Sequence, residues 1–441
     1  MIKGIYMMNI RFILLSFLTF CVGLQGVAQQ RILSLDSCIA RALESNYSIK
    51  IVKNRGDQKA NDHNISPFLP QVDLTLSQRQ NVNDGKIKDA SGTAGRKAVS
   101  TNALNGGIGL KWRLFDGLGM FSVYSKTKEL FEMGDLQTKS AIEQLIVKVS
   151  TLYYDVIMSK SKVDAARHSM ALSAARYAEA HDKYVLGVLS GLEAQQAVLD
   201  MNADSSDYIR QKELLNRAYI SLNMVMNTDL DLRSYVSDSI RLGDALDYGT
   251  LLDNMLAMNT ELQIAEKNRH LSRYDMKMIK ASYYPKLDFD AGYNSALSKD
   301  LGKGLTNTLY GPYYGFSVKM DIFDGLERRN RMKNAEIDVE NADLSYNEIE
   351  LEMKAQLAQL FNTYENNLKM VEFEKESVRV AYENLDAALE KYKLEELAGI
   401  EFREFQRSYI DAVDRQVAAL YRTKVSELSL MLMSGRIIMP Y

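Results

Sequence analysis

Five prolines in 441 residues leave few places where a helix must stop, because proline removes a backbone donor and breaks the helical ladder. Long uninterrupted elements are therefore expected. Two cysteines exclude a disulfide framework. Four histidines, His63, His168, His181 and His270, are scattered without metal-ligand spacing. No G-x-S-x-G, P-loop or H-E-x-x-H motif occurs. A net charge of −3 gives no electrostatic footprint for nucleic acid. Beyond the N-terminus no run approaches 18 consecutive apolar residues, so no membrane-spanning helix is expected there. Together these absences predict a protein that is not an enzyme, with no catalytic residue, no metal and no cofactor.

The N-terminus has the order of a secretory signal. Lys3 and Arg11 are basic, Phe12 to Val22 is apolar, and Gly26-Val27-Ala28 supplies small residues for cleavage. Residues 1–28 are assigned to it. Cys21 follows Leu18-Thr19-Phe20, and the bulky Phe20 makes a poor lipoprotein site. Cleavage leaves Cys38 alone, so no intrachain disulfide is possible.

The rest of the chain is written twice. Phe115-Asp116-Gly117-Leu118 returns as Phe323-Asp324-Gly325-Leu326, a spacing of 208 residues (323 − 115). Tyr184 and Tyr392 keep that spacing, as do Leu222 and Leu430. Such register over more than a hundred residues marks an internal duplication. The first repeat is placed at 29–227, with a β-hairpin at 70–115 and a helical hairpin at 117–227. A linker follows at 228–246. The second repeat is placed at 247–436, with a β-hairpin at 285–323 and a helical hairpin at 325–436, and 437–441 form a tail.

Each repeat opens with a helical pattern, over 34–68 and from Asp247 to Tyr284; Asn46 and Asn259 correspond, and Pro70 and Pro285 close the pair. Alternation then takes over. Val72, Leu74 and Leu76 share one face, as do Ile108, Leu110, Trp112 and Leu114. In the second repeat Leu287, Phe289, Ala291 and Tyr293 pair with a return strand of Tyr314, Phe316, Val318, Met320 and Ile322. The opposite faces carry Asp73, Lys111, Arg113, Asp288, Asp290, Lys319 and Asp321, and Gly106, Gly107 and Gly109 read as small residues leaving room on that side. Strands of about ten residues match the length that a tilted strand needs to cross a bilayer. Aromatics at their ends, Phe68, Trp112, Phe115, Tyr283, Tyr284, Tyr310, Tyr313, Tyr314 and Phe323, suit an interfacial girdle. Four strands cannot close a barrel, and lipid forbids an open edge. Several chains must then share one barrel, with the polar face lining a lumen.

Proline-free stretches follow each hairpin. Ile142, Leu145, Val149, Leu152 and Val156 advance by three and four, as do Met353, Leu357, Leu360 and Tyr364, the seam of a coiled coil. Turns at Gly187-Val188-Leu189 and Glu395–Gly399 send the helices back. The Phe115-Asp116-Gly117 and Phe323-Asp324-Gly325 turns join strand to helix, Asp as cap and Gly at the bend. Val188, Leu189, Leu394 and Leu397 offer apolar tips for a partner's helices, or staple their own turns. Glu401 and Glu404 lie one helical turn apart; around a symmetry axis they would stack into carboxylate rings that filter ions.

With these marks the chain resembles the TolC-type outer-membrane efflux proteins: the duplicated Phe-Asp-Gly-Leu turn, Lys183-Tyr184-x-x-Gly187, Lys391-Tyr392, and the order of hairpins and helices. The resemblance covers nearly all of the mature sequence. It implies a mixed α+β membrane protein, a homotrimer whose twelve-stranded barrel continues into a periplasmic α-barrel. It further implies a periplasmic adaptor and an inner-membrane pump of RND, ABC or MFS type as partners, the outer membrane of a Gram-negative bacterium as the location, and passive export as the function. Tyr392, Glu401 and Glu404 fall at the periplasmic entrance in this reading, and Gly187, Val188 and Leu189 at the adaptor contact. Glu395 stands where the family has glycine, which predicts a turn shifted towards Gly399. Leu397 stands in place of a basic gate partner. The competing reading is a periplasmic coiled-coil scaffold whose strands form a small soluble sheet.

Overall fold

The computed structural model describes residues 33–88, 94–234, 236, 239–300 and 305–437. The signal segment and Cys21 lie outside these residues. The elements in order are α1 (Leu35–Ser45), α2 (Tyr47–Asp62), β1 (Gln71–Lys88), β2 (Ala94–Phe115), α3 (Gly119–Val185), α4 (Gly191–Val225), α5 (Tyr248–Met258), α6 (Thr260–Ala281), β3 (Lys286–Asp300), β4 (Leu305–Lys319), α7 (Glu327–Lys393) and α8 (Gly399–Met433). Two compact units share them. One holds residues up to Tyr47, Glu143–Leu251 and those from Gln359 on; the other holds Ser48–Ile142 and Leu252–Ala358. Helices α3 and α7, of 67 residues each, belong to both and run to about 100 Å at the helical rise.

The two opening helical patterns each break once, at the corresponding asparagines. Asn46 (φ −63°, ψ 127°) and Asn259 (φ −62°, ψ 125°) are extended. Asn259 caps α6 by accepting from the Glu261 and Leu262 amides at 2.9 and 3.1 Å. Asn46 instead donates to the Val225 carbonyl at 2.9 Å. Asparagine satisfies backbone groups that a continuous helix would leave to its own ladder.

The second unit contains one four-stranded antiparallel sheet in the order β1-β2-β3-β4. Directly opposed residues share a face. Val72, Leu110, Ala291 and Tyr314 form one apolar row, and Trp112, Phe289 and Phe316 another. The reverse face aligns Lys111 with Asp290, and Arg113 with Asp288. Strand lengths of 18, 22, 15 and 15 residues exceed the ten expected. The excess is polar on both faces, as in Ser77-Gln78-Arg79-Gln80-Asn81, so alternation cannot reveal it and only the ladder does. Three further details differ. Met320, Asp321 and Ile322 lie past the end of β4. Gly106, opposite Leu76, falls on the apolar side. Tyr313 pairs with Gly292 on the polar side, where its ring lies over a position that no larger residue could occupy.

In the first unit the seam residues Leu145, Val149 and Val156 are buried, and the stripe is widened by Ile146, Tyr153 and Ile157. Leu152 is only partly covered. Leu357 and Tyr364 are buried on α7. The described residues between Asn227 and Leu246 form no helix or strand. It packs through Val236, whose carbonyl accepts from Lys160 at 2.6 Å, and through the Ser234 carbonyl, which accepts from Tyr219 at 2.9 Å.

Candidate functional site

The apolar face of the sheet has no protein over it. Leu74, Leu76 and Tyr314 are 79, 77 and 81% exposed. A face of this composition in a soluble sheet would be a core; here it is a surface. The backbone ladder ends at β1 on one side and β4 on the other, and both edges are unpaired among the described residues. On the reverse face Arg113 Nε lies 2.8 Å from Asp288 Oδ1, while Asp73 and Lys319 stand in the same set of rows.

The two strand-to-helix turns share a backbone. Gly117 and Leu118 have φ of 75° and 72°, and Gly325 and Leu326 have 70° and 69°. Asp116 Oδ1 accepts from the Met120 amide at 3.0 Å and Asp324 Oδ2 from the Arg328 amide at 3.0 Å. Phe115 ends β2, whereas Phe323 is an exposed residue beyond β4. The environments differ sharply. A side chain at Gly117 would collide with the Ala281 carbonyl oxygen and the Tyr284 Cβ, yet at Gly325 it would meet nothing.

The helical-hairpin turns lie in the first unit and have one hydrogen-bond pattern. The Gly187 amide donates to the Tyr184 carbonyl at 2.9 Å and Val188 to Lys183 at 2.9 Å; Glu395 donates to Tyr392 at 3.1 Å and Glu396 to Lys391 at 2.9 Å. The turn is not displaced towards Gly399. Glu395 itself takes the left-handed conformation, φ 60°, at the position of Gly187, φ 73°. Its carboxylate meets Lys183 Nζ at 2.8 Å, and Lys183 also reaches Glu179 at 3.0 Å. Hydrogen bonds to Glu395 and Glu179 raise the Lys183 pKa, and the Lys183 hydrogen bond lowers that of Glu395. The bridge is open to solvent and contributes little to stability. Val188 and Leu394 are exposed, while Leu189 and Leu397 are half-buried. Sequence reading did not count Leu186 and Leu192 among the tip residues, although they are 77 and 78% exposed; one directly precedes the left-handed Gly187 and the other stands in the first turn of α4.

Glu401 is exposed and accepts from the Ala398 amide at 3.3 Å, capping α8. Glu404 is exposed. Tyr392 stacks on Phe402 at 5.2 Å. The Arg176 guanidinium stands 5.7 and 5.4 Å from these two rings. It donates to the Gly399 carbonyl at 3.1 Å and lies 3.5 Å from Asp200. Below it is a polar cluster that no motif announced. Arg403 grips Asp204 through two bonds of 2.6 Å. Ser169 donates to Asp204 at 2.9 Å, Ser173 also bonds it, and Gln406 Nε2 lies 2.9 Å from Ser169 Oγ and 3.2 Å from Ser173 Oγ. Burial raises the Asp204 pKa, but the bonds from Arg403, Ser173 and Ser169 outweigh it and leave the carboxyl below its ordinary range. Helices α3, α4 and α8 are thus pinned together by the pair of buried Asp204 and half-buried Arg403. The signal was present only as Ser169, Ser173 and Arg176 at spacings of four and three on α3, and Asp200 and Asp204 four apart on α4; only packing brings Arg403 to them.

His63 lies 3.2 Å from Thr127, and His270 is 3.3 Å from Glu129; His168 and His181 are exposed. Among the described residues no group of histidine, cysteine, aspartate or glutamate is arranged to hold a metal. No described helix is long and apolar enough to cross a membrane.

The family model for outer membrane efflux proteins matches residues 42–228 and 251–436, once per repeat. Among solved structures, the CmeC outer membrane channel of Campylobacter jejuni superposes with a TM-score of 0.76 at 16% identity, over 91% of this chain and 85% of that one. A membrane protein from Pseudomonas aeruginosa gives 0.75 at 15%, over 92 and 91%. The MtrE outer membrane channel of Neisseria gonorrhoeae, in its open state, gives 0.67 at 14%, over 91 and 89%. No curated relative matches. The soluble-scaffold reading falls here, because two matched copies of one membrane family account for both the exposed sheet face and the repeat. The chain belongs to the outer membrane efflux protein family, and is an efflux channel of the Gram-negative outer membrane rather than an enzyme.

Proposed function

We propose that three copies of this chain form a passive exit duct, each lending four strands to one twelve-stranded barrel. The observation that carries this is the sheet: two unpaired edges beside an apolar face that nothing in the chain covers. Unpaired strand edges are not tolerated in hydrocarbon. Two copies would close eight strands, a barrel whose interior side chains fill. Three is the smallest number that leaves a passage, and the polar rows of Asp73, Lys111, Arg113, Asp288, Asp290 and Lys319 suit its wall.

In this reading cargo arrives from an inner-membrane pump through a periplasmic adaptor. The exposed apolar residues at the hairpin turns, Val188, Leu394 and their neighbours, provide the adaptor contact. Glu404 lines the entrance, and Tyr392 is held beside it by Arg176 and Phe402. The test is reconstitution of the detergent-purified protein into planar bilayers. A particle with the mass of three copies and stepwise ion current is expected, and Glu401→Gln with Glu404→Gln should change its block by cations. A folded, single-copy particle that passes no current would end the proposal.

A further inference from the structure

The polar face of the sheet treats one cross-strand pair differently in its two hairpins. In the first hairpin Gln71 stands opposite Lys111, and Lys111 faces Asp290 on its other side. In the second hairpin Lys286 follows Pro285 as Gln71 follows Pro70, and Lys319 lies 208 residues beyond Lys111 (319 − 111). Lys286 and Lys319 are directly opposed. Like charges in that position weaken a strand pair. No acid relieves them, for among the described residues no carboxylate pairs with either ammonium. Asp288, two residues from Lys286, is bonded by Arg113 at 2.8 Å. Asp321 lies past the end of β4, and Asp324 caps α7 through the Arg328 amide. Beyond Lys319 the described sheet stops, since β4 is an edge strand. Elsewhere on this face Lys111 and Arg113 are matched in the ladder by Asp290 and Asp288, and Arg79 is offset in number by Asp73. The opposed lysines are therefore the excess charge of the described polar face.

We propose that Lys286 and Lys319 bind small polyanions, phosphorylated or multiply carboxylated solutes, on the inner wall of the duct, as a ring of six lysines when three copies share one barrel. The inference rests on the multi-copy reading above and adds what the wall attracts. Alternation sets both lysines on the face opposite the apolar pair of Leu287 and Val318, away from lipid. Lys319 is exposed and Lys286 half-buried. Opposed residues hold their Cβ atoms about 4.5–5.5 Å apart, so two flexible side chains can close on one anion. An ammonium on a four-carbon stem is a movable point charge suited to phosphate oxygens. A passage lined by one sign of charge focuses its field and concentrates the counter-ion. A bound polyanion turns the repulsion between the two lysines into attraction for a shared ligand. That accounts for lysine at a place where the first hairpin has glutamine.

The test is single-channel current through the purified full chain in phosphatidylcholine bilayers, with pyrophosphate titrated into both chambers. Pyrophosphate should block the current in a voltage-dependent way. Lys286→Gln with Lys319→Gln should lose most of that block while keeping the particle mass and the unblocked current. Lys286→Arg with Lys319→Arg should retain the block, as should Arg79→Gln. A conducting wild type that pyrophosphate leaves unblocked overturns the proposal, as does block that survives the double glutamine variant. If anionic phosphatidylglycerol in the bilayer abolishes the block, the lysines meet lipid headgroups instead of the passage, and the ring is wrong. A particle with the mass of one chain that passes no current would mean that the duct reading itself has failed.

Discussion

The groove between α3 and α4 is closed by the Arg403–Asp204 pair, while its repeat partner between α7 and α8 is open and lined by Ser377, Ala381 and Ala412 together with Glu376 and Arg415. The strand-to-helix turns differ in the same sense, for Gly117 is packed against Ala281 and Tyr284 and Gly325 is bare. Duplication gave both halves one set of shapes. What separates them is the neighbour: α8 enters the groove of the first repeat, whereas no described residue fills the groove of the second. A contact formed within one chain forms with every folding event and can rely on exact polar matching. The open groove sets small residues beside charged ones, with Glu376 and Arg415 in its lining.

The comparison is broken most severely at Asp204. Asp204→Asn leaves the half-buried Arg403 beside a neutral amide, and loss of one partner of a largely desolvated pair costs up to about 3–5 kcal/mol. Denaturant unfolding should show it, while Ser377→Ala in the open groove should leave the midpoint nearly unmoved. The same carboxyl sets a pH dependence. Its folded pKa lies below its unfolded one, so its contribution is complete above the ordinary carboxylate range and disappears as pH falls through the depressed value. Wild type should therefore lose stability in acid, and Asp204→Asn should lose less.

A smaller effect separates the strand-to-helix turns. Both glycines have positive φ, so alanine at either costs about 1–2 kcal/mol in backbone strain. Gly117→Ala must also displace the end of α6, and should lower the thermal midpoint further than Gly325→Ala. Equal losses would mean that the two turns are not distinguished by their neighbours. Smallest is the difference between the hairpin turns. Glu395→Gly relieves a left-handed glutamate and should raise the midpoint slightly, while Gly187→Glu lowers it. Added salt should leave the Glu395→Gly gain in place, since the exposed Lys183–Glu395 bridge is weak in any case.

How much was legible depended on whether a feature repeats along the chain. Period-two alternation placed the apolar rows through Val72, Leu110 and Phe316, because a strand buries or exposes alternate residues whatever lies across from it. The same rule could not see residues 77–81 of β1, polar on both faces and held only by pairing with β2. Spacing of three and four located the seam at Leu145, Val149 and Val156. Arg403, Asp204 and Gln406 escaped notice because they lie on different helices, and a charged residue near a helix end looks the same whether solvated or buried.

The sequence by itself determined the duplication, the long helices and the alternating strands, since each follows from local periodicity and from where proline and glycine stand. Only the tertiary structure decided that Glu395 adopts the left-handed turn of Gly187, that Asp204 and Arg403 meet, and that one groove is filled while its twin is open. Those outcomes depend on which side chains converge from distant positions, and periodicity along one helix does not record its neighbours.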